Sequence, residues 1–183
     1  MHCKEYLRHT AEIALLIDHI EVERLVTEVY KTAGRIFVAG LGGSFANAIH
    51  FAGDLRKLCH LDAHVPNLSE FTARANDEGL ATVFTGWIRD IGPKDCLFIL
   101  SVGGGTDEVS TGITAAVKYA KERGARVLGI VGPDGGTTAK LSDCCIKIPA
   151  PRESVTPHSE AFQAVIWHCL VSHPLLQRTK TKW

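Results

Sequence analysis

His50 and Asp54 stand four residues apart, just behind the run Gly40-Leu41-Gly42-Gly43-Ser44. On a helix that spacing puts an imidazole and a carboxylate on one face, a pair able to hold a metal or to move protons. The glycines let the backbone turn tightly and approach a ligand, and Ser44 opens the expected helix. A helix starting there aims its free N–H groups and positive dipole end at the loop, which suits a phosphate. The preceding Arg35-Ile36-Phe37-Val38-Ala39 is a short apolar run with β-branched residues and reads as a buried strand. Two nucleotide readings of the loop fail. A dinucleotide fingerprint needs a small residue where Phe45 stands, and a phosphate-binding P-loop needs a lysine that is absent here. A glycine-rich turn with no ligand stays open for this loop taken alone.

A second segment repeats the design. Cys96-Leu97-Phe98-Ile99-Leu100 reads as a strand, Ser101-Val102-Gly103-Gly104-Gly105-Thr106 as its loop, and helical spacing begins at Asp107. In doubly wound sheets ligands bind beyond the carboxyl ends of strands, where the winding reverses. Two such loops side by side would surround one anion with amides and with the hydroxyls of Ser44, Ser101 and Thr106. A third loop, Gly132-Pro133-Asp134-Gly135-Gly136-Thr137, reads as structural, because proline and Asp-Gly are sufficient turn chemistry. Near the C-terminus Glu160 and His168 are eight apart, slightly over two helical turns, so both can face one side. Spacing alone leaves them equally readable as a solvated acid and a surface histidine.

The rest of the chain supplies elements to position these groups. Residues 4–33 show helical spacing broken near Asp18-His19, giving one or two helices. Helices are expected over 44–58, 81–90, 107–123 and 158–174. Strands are expected at 35–39, His64-Val65-Pro66, 96–100, 126–131 and 145–148. Alternation of this kind argues a parallel sheet covered on both faces, an α/β fold. At 183 residues, with no linker or repeat, one domain over 1–183 is expected, with an α/β core at about 34–175. The 20 basic and 20 acidic residues balance, which removes any electrostatic case for nucleic acid or an anionic membrane. Six cysteines without a CxxC pair read as reduced thiols, and no apolar run approaches the roughly 20 residues that span a bilayer. A cytoplasmic protein is the expectation.

The segment Gly40 through Leu55 resembles the first signature of bacterial phosphoheptose isomerases, members of the sugar-isomerase (SIS) domain superfamily. Ala75-Asn76-Asp77-Glu78-Gly79, the Ser101–Thr106 loop, Gly132–Gly136 and Glu160 through His168 follow in the same order, so the resemblance covers about residues 5–175. It implies a three-layer αβα sandwich around a five-stranded parallel sheet, assembled as a homotetramer with sites at subunit contacts. It implies interconversion of sedoheptulose 7-phosphate and an aldoheptose 7-phosphate of the D-glycero-D-manno type, an early step toward nucleotide-activated heptose. By position, substrate binding falls on Gly42, Gly43, Ser44, Asn76, Asp77, Ser101, Val102, Gly103, Thr106 and Glu160. One zinc ion per subunit would be held by His50, Asp54, Glu160 and His168, with Asp54 and His168 as the acid/base pair.

Those roles make chemical sense. Moving a carbonyl between C2 and C1 passes through an enediolate, which needs a base, an acid and positive charge beside the oxyanion. Two histidines and two carboxylates are a workable zinc set with room for substrate. The chain also departs from the family pattern: Leu41 replaces Asn, Asp54 replaces Glu, Glu160 replaces Gln, and Val102, Gly103 and Gly105 remove several side-chain contacts from the second loop. Other classes remain as alternatives, a non-catalytic SIS phosphosugar sensor or a protein like the replication-initiation adaptor. The adaptor branch is understood to lack the carboxylate and final histidine that this chain keeps as Asp54 and His168.

Overall fold

The computed structural model describes residues 1–182. Two N-terminal helices, α1 (His2–Leu16) and α2 (His19–Tyr30), lead into strand β1 (Ile36–Ala39) and helix α3 (Gly43–Cys59). There follow β2 (Ala63–His64), α4 (Leu68–Asp77), α5 (Val83–Trp87), β3 (Cys96–Ser101), α6 (Thr111–Glu122), β4 (Arg126–Val131), α7 (Gly136–Leu141) and β5 (Cys144–Lys147). A 3-10 turn at Arg152–Ser154 then leads into α8 (Val155–Ser172). The five strands form one parallel sheet in the order β2-β1-β3-β4-β5.

Because side chains alternate across a strand, a sheet covered on both faces needs apolar residues at every position. β1 shows this: Ile36 and Val38 enter one core with α2, α3 and α8, while Phe37 and Ala39 enter the other with α5 and α6. The first core centres on Phe51, Phe98 and Trp167, all fully enclosed. The result is the expected three-layer sandwich. The break between the first two helices is chemical, since Asp18 caps α2 by accepting from the Ile20 amide at 2.9 Å.

Several elements differ from the sequence expectation. α4 was not expected, because none of its side chains is fully buried and its apolar stripe of Leu68, Phe71 and Ala75 is sparse among polar residues. Its start is set by Asn67, whose side chain accepts from the Ser69 and Glu70 amides. α7 was also unexpected, a six-residue helix with no periodic signal of its own. α6 begins at Thr111, four residues later than its spacing suggested. Thr106 instead organises a turn, its hydroxyl oxygen accepting from the amides of Glu108 and Val109 at 3.3 and 2.9 Å.

At the opposite end of the sheet from the glycine loops, Asp95 ties β1 to β3. Its carboxylate accepts from the Arg35 amide at 2.8 Å and the Gly92 amide at 3.0 Å, and pairs with the Arg35 guanidinium at 2.9 Å. Burial alone would raise its pKa, but the Arg35 guanidinium and these amides together hold it below the ordinary carboxylate value. A carboxylate with a lowered folded value adds stability above its unfolded pKa of about 3.9, and loses it as pH falls through the lower value. Asp95→Asn should therefore be less stable than wild type by about 1–3 kcal/mol at neutral pH. Denaturant unfolding at a series of pH values should show that gap closing below about pH 4. A gap independent of pH would show that the charge is not what matters.

Candidate active site

β1 and β3 are neighbours, yet the chain leaves β1 for β2 on one side and β3 for β4 on the other. The winding therefore reverses between them, and their loops open at the same end of the sheet beside one crevice. The backbone of the first loop is committed to this geometry. Gly42 caps α3 at φ 59° and ψ −128°, a conformation only glycine adopts without strain. A side chain at Gly40 would strike the carbonyl of Ser44.

α3 then runs alongside α8, and polar side chains of the two helices meet in two places. At the start of α3 the Ser44 amide donates to the Glu160 carboxylate at 3.1 Å, the anion that a helix N-terminus favours. Beside it, Asn47 Nδ2 donates to the Glu160 carbonyl at 2.9 Å and to Gln163 Oε1 at 3.0 Å, while Gln163 Nε2 donates to Ser44 Oγ at 3.1 Å. Farther along, His50, Asp54 and His168 bring one ligand atom each within 4.8 Å of one another. His50 Nε2 lies 3.6 Å from Asp54 Oδ2, and the His50 and His168 rings approach edge-on at 5.3 Å between centroids. Trp167 forms the floor, with the His50 ring 4.6 Å from it.

The tautomer of His168 is set by its neighbour. Its Nδ1 lies 2.8 Å from the Ala164 carbonyl, which can only accept, so Nδ1 carries the proton and Nε2 keeps a lone pair. A histidine held this way is ready to take a proton or to bind a cation, and the hydrogen bond orients the ring for either role. Two imidazoles and a carboxylate in one group also match the three protein ligands of an open catalytic zinc site. The donor set thus fits a divalent metal.

The other expected site residues fall less uniformly. Glu160 stands outside the three-residue group: its carboxylate lies on Ser44 and Gly43, and its position on α8 is about 12 Å along the axis from His168. Ser101 Oγ accepts from the Gly104 amide at 3.0 Å, and Thr106 is engaged in its own turn. The Thr106 hydroxyl also donates to the Val109 carbonyl at 3.3 Å, whereas Ser101 Oγ only accepts and keeps its proton. Val102 and Gly103 lie at the head of the second loop. Gly104 and Gly105, which follow, are held by the third, their carbonyls accepting from the Thr138 and Thr137 amides at 2.9 and 2.8 Å. Asn76 and Asp77 are exposed at the end of α4, bonded to each other at 2.7 Å. That helix reaches the site through Phe71, whose ring stacks on Phe45 of α3 at 5.9 Å.

Asn47 and Gln163 were missed by the sequence reading. The available signal was their spacing, since Ser44/Asn47 and Glu160/Gln163 are both i, i+3 pairs on single helix faces. All six cysteines are free. Burial pushes Cys59 and Cys144 up to about 11 and Cys96 and Cys145 up to about 12, so these four stay as neutral thiols with no nucleophilic role.

Comparison with known proteins places this arrangement. The family model described as "SIS domain" matches residues 29–172. A phosphoheptose isomerase of Aneurinibacillus thermoaerophilus is 31% identical over 177 residues, covering 93% of this chain and 85% of that protein. The lincomycin biosynthesis protein LmbN of Streptomyces lincolnensis is 36% identical over 166 residues, covering 82% of this chain; the chain spans 59% of LmbN. The structure of phosphoheptose isomerase GmhA from Neisseria gonorrhoeae superposes with a TM-score of 0.80 at 27% identity, covering 93% of this chain and 92% of that one. The chain belongs to the phosphoheptose isomerase family of SIS-domain proteins.

Proposed function

We propose that this protein is a ketose/aldose phosphate isomerase that interconverts sedoheptulose 7-phosphate and an aldoheptose 7-phosphate. The observation that carries the reading is the His50–Asp54–His168 group, which puts a carboxylate beside an imidazole with an open lone pair. Asp54 and His168 exchange protons with the sugar, one at the carbon next to the carbonyl and the other at oxygen, through an enediolate. His50, Asp54 and His168 would hold a divalent metal, with zinc as the expected ion, and the ion would supply Lewis acidity beside the developing oxyanion. Glu160, outside the group in the free chain, is the fourth ligand suggested by the resemblance.

The phosphate belongs in the crevice between the loops of β1 and β3. Ser101 Oγ accepts from the Gly104 amide and so keeps its proton for the phosphate, while the Thr106 hydroxyl donates to the Val109 carbonyl at 3.3 Å; the second loop therefore offers its amides and one hydroxyl. Gly42 and Gly43 allow close approach, and Asn76 and Asp77 are the polar residues available to the sugar hydroxyls. The sensor and adaptor alternatives have less support, because a protein that only binds phosphosugars has no need of an aligned acid/base pair.

The surface supports assembly, and the resemblance makes the expected assembly a homotetramer. Leu7, Leu15 and Leu16 on α1 are exposed, and Ile49 and Val165 are exposed beside the histidine group. Apolar side chains around a catalytic group are what a subunit contact would cover. We place this enzyme of sugar metabolism in the cytoplasm, acting as one domain; among the described residues no helix is long and apolar enough to cross a membrane.

Purified protein given sedoheptulose 7-phosphate with zinc should produce an aldose signal by NMR, and the signal should fall when zinc is chelated. No aldose under either condition would refute the isomerase reading. His168→Ala should lower turnover by about 100-fold or more while the thermal unfolding midpoint stays near wild type, because the side chain is exposed and its role is chemical. Asp54→Glu should also slow the reaction, by about tenfold or more, since an added methylene moves the carboxylate about 1 Å in a group already close-set. Light scattering at micromolar concentration should give four times the monomer mass, and a monomer would remove the shared-site arrangement.

A further inference from the structure

Ser44 Oγ is almost fully buried and Gln163 is wholly buried, so the hydrogen bond between them has a definite direction. The direction can be derived. Asn47 faces the backbone carbonyl of Glu160 at 2.9 Å, a group that only accepts, so the Asn47 nitrogen points there. The same nitrogen lies 3.0 Å from Gln163, which must therefore turn its oxygen toward Asn47. That leaves the Gln163 nitrogen for Ser44, and an amide nitrogen only donates. The Ser44 oxygen has to accept, and its own proton is free for some other acceptor. No described side chain or carbonyl takes that proton.

We propose that Asn47 and Gln163 are positioning residues that hold Ser44 as a hydrogen-bond donor to the phosphate of the substrate. The identity of that ligand rests on the isomerase reading above. An anion already sits at this point in the free chain: the Glu160 carboxylate accepts the Ser44 amide at 3.1 Å. Arriving phosphate takes the place of that carboxylate and meets two donors from one residue, the amide and the hydroxyl. Because the hydroxyl can only give its proton, the site prefers anions whose oxygens are all acceptors. A doubly ionised phosphate ester is such an anion.

Gln163→Glu tests this, because the carboxylate still accepts from Asn47 but has no hydrogen for Ser44. The Ser44 proton then turns inward, and its lone pairs face the incoming anion. Calorimetry on metal-free protein at neutral pH would compare sulfate, which carries no proton, with inorganic phosphate, which keeps at least one. Wild type should bind both, while the variant should lose about tenfold or more in sulfate affinity and distinctly less in phosphate affinity. KM for sedoheptulose 7-phosphate should rise by more than kcat falls. Unchanged sulfate binding, or equal loss of both anions, would overturn the proposal.

If the buried charge prevents folding, Gln163→Met carries the test, being similar in length and unable to hold the serine. It should weaken sulfate binding by about threefold or more, and wild-type binding would overturn the proposal. Wild-type protein that binds sulfate and phosphate but does not isomerise the heptulose would refute the isomerase reading alone. A folded variant with wild-type anion binding would refute the positioning role alone.

Discussion

The site depends on one packing contact, that of α3 against α8. These helices begin more than 100 residues apart in sequence, yet every polar group of the candidate centre except the two glycine loops and the end of α4 lies on one or the other. The contact is held by apolar burial: Phe51, Leu55 and Ala48 of α3 and Ile166, Trp167 and Leu170 of α8 share one core. Trp167 shows how packing and chemistry are joined. Its buried ring rests near Phe51 at 5.7 Å and near His50 at 4.6 Å, so the same side chain fills the core and supports the imidazole. Truncating it would remove a large part of the core and the floor of the histidine group together.

The parallel sheet supplies the other constraint. Five strands in the order β2-β1-β3-β4-β5 can be wound without crossing connections only if the chain reverses once, and the reversal falls between β1 and β3. That leaves two strand ends without a helix crossing over them. The loops there are free to face a ligand, and α3 starts at the same place. Location of the crevice is thus a consequence of topology, while its chemistry is a matter of which side chains the loops and helices bring.

Much of this was legible in the sequence because it is local. The strand Ile36–Ala39, the glycine turn and the helix carrying His50 and Asp54 are set by neighbouring residues, and the structure moves their limits by only one residue or so. α4 and α7 escaped because the one carries only a sparse apolar stripe, Leu68, Phe71 and Ala75, on a half-exposed helix, and the other is too short to show a period. The limits of inference are clearest at Glu160 and Gln163. Helical spacing put Glu160 and His168 on one side of α8, but could not tell how the carboxylate would be used once α3 lay beside it. Thr106 was expected to offer its hydroxyl to an anion, but its own turn engages that hydroxyl as donor and acceptor, and such local bonds compete with any ligand.

The free chain already places an anion at the mouth of α3, and this shapes what can bind there. The Ser44 amide has the Glu160 carboxylate, and the Ser44 oxygen has Gln163. A ligand that binds the Ser44 amide therefore exchanges one anion for another. A neutral sugar hydroxyl cannot displace a carboxylate from the positive end of a helix, because it brings no charge to replace the one removed. A phosphate dianion brings more charge than the carboxylate it displaces, and can accept from the hydroxyl proton that Glu160 leaves unused. In the isomerase reading, the energetics at Ser44 thus favour the phosphorylated sugar over the free one before any contact with its hydroxyls is made. Val102, Gly103 and Gly105 in the second loop move in the same direction, since with fewer side-chain contacts more of the phosphate is left to backbone amides, which respond to charge more than to shape.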